Sequence, residues 1–448
     1  MRLRIVLFVL LIAPASCKAH PAPTSATATT KAVFRFSPRP NRAAEIHWRA
    51  WDPAVFAEAR AQHKPILLSL AAIWCHWCHV LDETTLSDPR VIALLNRDFL
   101  PVRVDADQHP EVERRYLLGG WPTVAFLTPQ GEIIDGGTYV PPDAFVALGE
   151  SALAAFREGG AALNDHLARY RQREDPVRPG PVDAQIVETV ARTLGGEADR
   201  KNGGFGGAPK FPNGEAVILL FDVGETELAK QALDGMLRLE DPVAGGFYRY
   251  AMSADWTHPH YEKMLRVNAE LLAAYARGFR VTHDERYRAC ARRIAAYLRA
   301  NLFDPSSGML WASQDADEIY YGLDEKARAA RPAPYIDRTL LVDRSSIAVE
   351  ALAVAARELD DPSLLDLARR AIAPILAMKE PDGRFAHARQ KGGAPEVRGQ
   401  LADQAHAALA LYALASALPG SPDAARFRKA ADRALDGTLR TLAAPEGG

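Results

Sequence analysis

The sequence predicts an α/β domain followed by an all-α domain built of antiparallel helix pairs. Between residues 46 and 160, short apolar runs typical of buried strands alternate with helical patterns. From residue 183 to residue 448, apolar residues recur almost entirely at helical spacing, in segments that follow one another as pairs. We therefore expect a layered α/β domain and then a helical toroid or solenoid.

Each element of the first domain has its own signal. The stretch at 65–73 is apolar apart from Ser69, as a strand buried on both faces would be. Two further apolar runs, at 100–106 and 122–128, lie between helical patterns. Pro89 suits the first turn of a helix. The predicted strands are 65–73, 100–106 and 122–128, and the predicted helices are 54–62, 87–96 and 141–156.

The N-terminal residues have the composition of an export signal. Arg2 and Arg4 precede an apolar run at 5–12, which is shorter than the roughly 20 residues that span a membrane. We expect a signal peptide at 1–17, with two endings open: cleavage after a small residue, or lipid attachment at Cys17. The chain would then be exported, to the periplasm or as a membrane-anchored lipoprotein.

The remaining boundaries follow from composition. Residues 18–45 are rich in Ala, Thr and Pro and predict a flexible tether, and 161–182 carry the prolines and charge typical of a linker. The domains are therefore expected at 46–160 and 183–448. With 54 basic and 56 acidic side chains, the chain lacks the overall positive charge of a nucleic-acid-binding protein.

Residues 74–79 read WCHWCH and carry the clearest chemistry. A C-x-x-C-H sequence suits a redox dithiol, covalent haem attachment or a mixed Cys/His metal site, and a structural disulfide is the fourth reading. A buried strand precedes Cys75 and a helical pattern follows it. Helix N-termini stabilise thiolates, so Cys75 is predicted to attack and Cys78 to resolve, with His76 as a positive charge that tunes the thiolate.

The arrangement around the dithiol resembles the thioredoxin fold: a strand, W-C-x-x-C, a helix, the strand and turn at 102–112, then Gly-Trp-Pro-Thr before another strand. The resemblance implies that Pro122 is cis and faces the dithiol, and that Trp121 lines the substrate groove. Trp77 and His79 are expected beside it. Ser69 stands where ordinary thioredoxins carry a buried aspartate.

Longer blocks are similar to one family. HKPILLSL, CHWCHV, GGWP, GGTYVPP, GGFGGAPKFP and WTHPHYEKML resemble the spermatogenesis-associated thioredoxin-like proteins. The resemblance implies that the second domain is an (α/α) toroid of the type found in six-hairpin glycosidases and sugar epimerases. The predicted fold class is thus an α/β thioredoxin-like domain followed by an all-α toroid.

Aromatic and ionisable residues cluster in the loops between the helices of the second domain. Paired carboxylates beside aromatic rings suit acid/base chemistry on a sugar, and a buried salt-bridge network that locks loops to helices explains the same residues equally well. The candidate residues are Tyr248, Trp256, His260, Glu262, Lys263, Asn268, Asp315 and Asp317.

Three hypotheses for the function follow. The first is an exported thiol–disulfide oxidoreductase that acts on protein thiols or disulfides, with the toroid as a recognition or auxiliary domain. The second is a carbohydrate-active isomerase or hydrolase in the toroid, and the third is a binding scaffold. No cofactor and no metal are expected, and Cys290 is interpreted as a small buried apolar side chain.

Overall fold

The computed structural model describes residues 35–171 and 184–442. The predicted signal peptide with Cys17, most of the predicted tether and residues 172–182 of the predicted linker lie outside the described residues, as does residue 183. Within the described ranges, no helix combines the length and the apolar character needed to cross a membrane.

The first domain is built on a mixed four-stranded sheet. The central strand β1 pairs in parallel with β2 and antiparallel with β3, which pairs antiparallel with β4, so that the strand order is 2-1-3-4. Every residue of β1 is buried, as the apolar run predicts. The strands are β1 (Ile66–Ala71), β2 (Leu100–Asp105), β3 (Thr123–Leu127) and β4 (Ile133–Gly137).

Helices cover both faces of this sheet. Leu67 of β1 belongs to a core with α3 and α5, while Leu68 belongs to a second core with α1 and α4. Successive side chains of a strand point to opposite faces, so a strand between two helical layers is expected to be mainly apolar, as β1 is apart from Ser69. The helices are α1 (Pro53–Gln62), α2 (His76–Glu83), α3 (Pro89–Asp98), α4 (Pro110–Tyr116), α5 (Pro142–Glu158) and α6 (Gly160–Arg171).

The last part of the predicted tether is packed against the protein. Ala43 is fully buried in the first core, and the Ser37 backbone N–H donates to the Asp82 carboxylate at 3.0 Å. Composition predicts flexibility for 18–45, but residues 35–45 are held by these contacts. The packed chain therefore begins at least ten residues before Ile46.

Helix α6 occupies the first half of the predicted linker at 161–182. Its Leu167 is buried in the core formed by α3 and α5, and its His166 lies beside Ile134 of the sheet. A proline-rich, charged neighbourhood hides the helical pattern of this segment in the sequence. The α/β domain thus includes α6.

The second domain is a helical toroid. Its helices are α7 (Ala184–Glu197), α8 (Gly214–Asp222), α9 (Thr226–Met236), α10 (Leu265–Thr282), α11 (Glu285–Tyr297), α12 (Glu318–Tyr321), α13 (Glu325–Ala329), α14 (Val342–Glu358), α15 (Pro362–Leu376), α16 (Leu401–Ala417) and α17 (Pro422–Leu442). Helices α8, α10, α14 and α16 pack side by side as an inner layer, and α9, α11, α15 and α17 lie outside as the second members of the helix pairs.

The inner helices owe their position to small side chains. Helix α14 buries a run of alanines between α10 and α16, and alanine lets helix axes approach closely while favouring the helix itself. Short strands join the loops at one end of these helices. They are β5 (Tyr250–Ala251), β6 (Pro259–His260), β7 (Lys263–Met264), β8 (Ser313–Gln314), β9 (Ile336–Asp337), β10 (Thr339–Leu341), β11 (Ala386–Gln390) and β12 (Glu396–Arg398).

Candidate functional site

Cys75 and Cys78 form a disulfide at the start of α2. Cys75 is the N-cap residue of the helix, and its Sγ accepts a hydrogen bond from the Cys78 backbone N–H at 3.1 Å. A sulfur in this position receives the partial positive charge of the helix N-terminus, which stabilises a thiolate. The predicted placement of the dithiol between β1 and a helix is therefore what the fold shows.

The Trp121–Pro122 peptide bond is cis, as the resemblance to thioredoxin implies. Trp121 contacts the buried cluster that contains both cysteines, and its ring lies 5.5 Å from the ring of Trp74, centroid to centroid. The turn before β3 therefore forms one wall of the dithiol site.

The toroid covers the dithiol. Met264, at the start of α10, is part of the apolar cluster around Cys75 and Cys78, and Val267 packs against it. Each cysteine is only 2% exposed. The resemblance to thioredoxin implies a substrate groove beside the dithiol, whereas here the sulfurs are enclosed between the α/β domain and the toroid.

A toroid arginine extends this cover. The Arg249 guanidinium stacks on Trp74 at 4.2 Å and on Trp121 at 5.1 Å, both measured to the ring centroid. Cation–π contacts of this kind hold flat apolar rings and a charged group together. Arg249 thus ties the toroid to both aromatic residues that flank the dithiol.

His76 is paired with a carboxylate of the toroid. Its Nδ1 lies 2.8 Å from Oε1 of Glu318, the first residue of α12. The hydrogen bond that His76 donates to Glu318 raises the pKa of His76, although partial burial opposes it. The pairing thus favours the positive charge that the sequence predicts for His76, and the toroid supplies the partner.

His79 is buried at the same interface. Its Nδ1 lies 3.8 Å from Oδ1 of Asp315, and the side chain of Asp315 is 5% exposed. Burial lowers the pKa of His79 to about 4, with Arg35 and other cations adding to the effect. Burial raises the pKa of Asp315 to about 7, although Arg35 opposes the shift.

Glu262 approaches the dithiol helix end from the toroid. Its Oε1 lies 3.4 Å from the backbone nitrogen of His76 and 3.5 Å from Nδ1 of His260. Burial raises the pKa of Glu262, but His260 and Arg249 outweigh burial and the net shift is downward. A fixed negative charge thus stands at the N-terminus of α2.

Asp82 of α2 and Arg103 of β2 form a buried ion pair. Asp82 is fully buried and receives two hydrogen bonds from the Arg103 guanidinium, at 2.8 and 3.0 Å. This ion pair lies beneath the dithiol helix and also holds Ser37. Its role is structural.

The remaining toroid candidates are bound within the protein. Lys263 is completely buried and pairs with Asp241 at 2.6 Å, and Asn268 bonds to the backbone of Phe247 and Met264. Trp256 is fully buried and donates to backbone oxygens. For these three residues, the contacts favour the interpretation as a buried structural network and disfavour the interpretation as a sugar site.

Tyr248 and Asp317 also have local roles. The Tyr248 ring packs edge-on against Tyr261 and Tyr321, and Asp317 caps α12 through the Tyr320 backbone N–H. His260, Glu262 and Asp315 therefore separate from the rest of the predicted sugar site. They face the dithiol. The contact between His76 and Glu262, for example, joins residues that are 186 positions apart along the chain.

Two further expectations concern side-chain exposure. Trp77, expected beside the dithiol, is 43% exposed and its ring packs against Tyr139. Cys290 is fully buried in the core of the toroid, as predicted, and burial raises the pKa of its thiol.

A second contact region joins the domains through Asp107. Its carboxylate accepts a hydrogen bond from the Trp74 indole at 2.5 Å and pairs with Arg344 at 2.8 Å. Its backbone oxygen lies 2.8 Å from Nε2 of His387, whose Nδ1 lies 2.8 Å from Asp403. Sequence reasoning missed this region, because isolated Asp, Arg and His residues in three separate segments form no local motif.

Fold and site together define a class: a thioredoxin-like domain whose C-x-x-C dithiol is enclosed by a helical toroid. Residues 39–164 match the family model Thioredox_DsbH, described as a protein of unknown function, DUF255. The chain is also 30% identical to human Spermatogenesis-associated protein 20 over 335 residues, which is 66% of this chain and 42% of that relative. These matches fit the spermatogenesis-associated thioredoxin-like family, and its recognition from the motifs is confirmed.

The curated relatives are longer than the match. The rat protein of the same name is 30% identical over 307 residues, 61% of this chain and 39% of the relative, so the chain spans less than half the length of these proteins. A shorter segment of 83 residues is 39% identical to Thiol:disulfide interchange protein DsbD 1 of Pseudomonas aeruginosa, covering 18% of this chain and 14% of that protein.

The toroid is similar to solved structures of sugar enzymes. A sugar epimerase from a ruminal bacterium aligns over 66% of this chain and 74% of its own, with 14% identity and a TM-score of 0.46. Cellobiose 2-epimerase from Bacillus thermoamylovorans aligns over 58% and 72%, with 12% identity and the same TM-score.

Proposed function

We propose that the protein is a thiol–disulfide oxidoreductase that works through Cys75 and Cys78. One observation carries the proposal: Cys75 caps α2, its Sγ accepts a hydrogen bond from the Cys78 N–H, and the imidazole of the next residue is paired with the Glu318 carboxylate. Both contacts favour the thiolate of Cys75, which is the attacking species in disulfide exchange. The similarity of 83 residues to a thiol:disulfide interchange protein supports the proposal.

The reaction is a two-step exchange. The Cys75 thiolate attacks one sulfur of a substrate disulfide, so that a mixed disulfide forms and the first substrate thiolate leaves. The Cys78 thiolate then attacks the Cys75 sulfur, which releases the second substrate thiolate and forms the disulfide between Cys75 and Cys78. The toroid sets the access and the electrostatics of this site, because Met264 covers the sulfurs and Glu318 holds His76.

Trapping tests the proposal. A Cys78→Ser variant keeps the attacking cysteine and lacks the resolving one, so mixed disulfides at Cys75 should accumulate and be seen by mass spectrometry. Cys290→Ser is the control that leaves the dithiol intact, since Cys290 lies in the toroid core. A Cys75 that neither traps a partner nor reacts with a small disulfide contradicts the proposal.

Export of the chain is part of the same proposal. The apolar run at 5–12 after Arg2 and Arg4 supports a signal peptide, with the end at Cys17 either cleaved or lipidated. An exported dithiol meets an oxidising compartment, where disulfide exchange has substrates. Fractionation of cells that express the full chain, with a Cys17→Ser variant to test lipid attachment, checks this location. Recovery of all the protein with the cytosolic fraction contradicts it.

A further inference from the structure

The dithiol of the proposed reaction needs a group that takes and returns protons. Each thiol attacks only after it loses its proton, and the proton must later reach a leaving thiolate. Bulk water has little access to either sulfur, because Cys75 and Cys78 are each 2% exposed. A buried group beside the dithiol helix must therefore handle the protons.

The thioredoxin-like domain offers poor candidates of its own. Ser69 on β1 is fully buried and its hydroxyl oxygen has no hydrogen-bond partner, but a hydroxyl is not a base near neutral pH. Asp82 is already engaged by the Arg103 guanidinium and by the backbone of Ser37. Burial raises the pKa of the Asp82 carboxyl, although Arg103 opposes the shift, but both carboxylate oxygens are already occupied by these donors.

His79 and Asp315 are better placed. His79 directly follows Cys78 and stands four residues after Cys75, and residues four apart lie on the same face of a helix. His79 also meets Asp315 of the toroid, with 3.8 Å between Nδ1 and Oδ1, and its ring makes a hydrogen bond with the Ile73 backbone. The pair therefore forms a path from the dithiol helix into the toroid.

The charges around Asp315 come from several elements. Arg35 lies 3.4 Å from Oδ2, and His76, His79 and Glu262 are the other ionisable groups that act on the carboxyl or face it. Burial outweighs the cations and raises the pKa of Asp315 to about 7, while the pKa of His79 falls to about 4. At neutral pH the imidazole is therefore neutral, and the carboxyl gains and loses its proton readily.

Resting on the proposed redox function, we propose that His79 and Asp315 form a proton relay for the dithiol across the domain interface. The imidazole passes protons between the sulfurs and the Asp315 carboxylate. Asp315 acts through His79 and touches no reacting atom, so it is a positioning residue. The toroid supplies it to a reaction that takes place on the α/β domain.

The proton balance of one turnover is closed. Cys75 gives its proton to the relay and attacks the substrate disulfide, whose S–S bond breaks as the mixed disulfide forms, and the departing thiolate takes the proton. Cys78 gives its proton to the relay and attacks the Cys75 sulfur, and the second departing thiolate takes that proton. Two electrons pass from the dithiol to the substrate, two thiols leave, and the relay ends unchanged.

The test is a single turnover of the reduced full chain with hydroxyethyl disulfide, a small uncharged disulfide. Acid quenching and mass spectrometry follow the mixed disulfide and its conversion to the disulfide between Cys75 and Cys78, from pH 5.5 to 9.5. We expect the rate of conversion to level off above about pH 7 in the unmodified chain, where Asp315 is ionised.

Asp315→Asn should remove this plateau. The rate should then follow ionisation of the thiol to solvent, rise up to about pH 9 and be about 100-fold lower at pH 7, at the lower end of the range for loss of a general base. Asp315→Glu should restore the inflection near neutral pH. Asp337→Asn is the matched control, because Asp337 is a buried toroid carboxyl with a raised pKa whose partner is Thr339.

The outcomes separate the two proposals. If the unmodified chain turns over and Asp315→Asn keeps its pH profile, the relay is wrong and the oxidoreductase proposal stands. If the unmodified chain forms no mixed disulfide, the proposed function fails and the relay fails with it. Circular dichroism confirms folding of each variant, and His79→Gln tests the same path from the helix side if Asp315→Asn does not fold.

Discussion

Nδ1 of His76 and Oε1 of Glu318 lie 2.8 Å apart, although the two residues belong to different domains and are 242 positions apart along the chain. His76 directly follows Cys75, so this pair decides the charge next to the attacking sulfur. A toroid residue therefore controls the electrostatics of the dithiol.

Glu318→Gln should weaken the thiolate of Cys75. Without the carboxylate, the pKa of His76 should fall towards its ordinary value, and the cation beside Cys75 should be lost near neutral pH. We expect the pKa of the reduced Cys75 thiol to rise by about 0.5 to 1, since a nearby charge shifts a pKa by roughly that amount or more. Alkylation by iodoacetamide as a function of pH measures it. Glu325→Gln, on the neighbouring α13, should leave the profile unchanged.

Met264→Ala should open the cover over the dithiol. Removal of the side chain takes away apolar contact with the cluster of Cys75 and Cys78 and leaves space through which a reagent can approach. We expect reduction of the disulfide by dithiothreitol to accelerate about tenfold. Met309→Ala removes a methionine from the toroid core and should lower stability without changing the reduction rate. Equal rates in both variants would show that Met264 does not limit access.

Arg103→Leu should strongly destabilise the first domain. It leaves the Asp82 carboxylate buried without its cation, and removal of one partner of a buried ion pair costs about 3–5 kcal/mol. Urea unfolding measures the loss. Arg97→Leu removes an exposed partner of Asp98 and should cost less than about 1 kcal/mol. The double variant Asp82→Leu/Arg103→Leu should recover much of the lost stability, because no charge is then stranded.

The His387–Asp403 pair should make stability depend on alkaline pH. Burial lowers the pKa of His387, but the hydrogen bond and charge of Asp403 outweigh burial and raise it to about 9. The folded pKa lies above the unfolded value, so the stabilisation is complete below about pH 6.5 and is lost as the pH rises through about 9. Burial raises the pKa of Asp403, which offsets part of this gain.

The measurement compares the unmodified chain with His387→Asn. Their difference in free energy of unfolding should be about 3 kcal/mol or less near pH 6 and shrink towards pH 9.5, since one pKa unit corresponds to about 1.4 kcal/mol. His283→Asn is the control, because His283 is the C-cap residue of α10 and its side chain is exposed. A difference that does not vary with pH would contradict the assignment of charge to His387.

Local patterns predicted most of the fold. The apolar run of β1, the helical periodicity of α3 and α5 and the helix pairs of the toroid each record a burial pattern that a short segment carries by itself. Strand β4 and helix α4 were not predicted. Both are short, and β4 ends in Gly136 and Gly137, which sequence rules assign to a turn; only pairing with β3 makes this segment a strand.

The candidate site was predicted in part, for the same physical reason. Cys75 and Cys78 belong to a motif whose spacing fixes their geometry, and the resemblance to the thioredoxin fold implied the place of Pro122. His260, Glu262 and Asp315 were assigned to a sugar site, because a sequence shows that they are ionisable and close to aromatics but not which surface faces them. The burial of His79 and Asp82 was also invisible, since the helix they share is covered by a distant segment at 35–39 and by the toroid.

The sequence by itself determined the dithiol, the helix that follows it, and the succession of an α/β domain and paired helices. These properties depend on residue type and on spacing over at most a few turns. The tertiary structure decided that the toroid closes over the sulfurs, that Glu318 pairs with His76 and that Asp315 meets His79. Such contacts join residues more than 180 positions apart, and their burial and pKa shifts exist only once the two domains pack together.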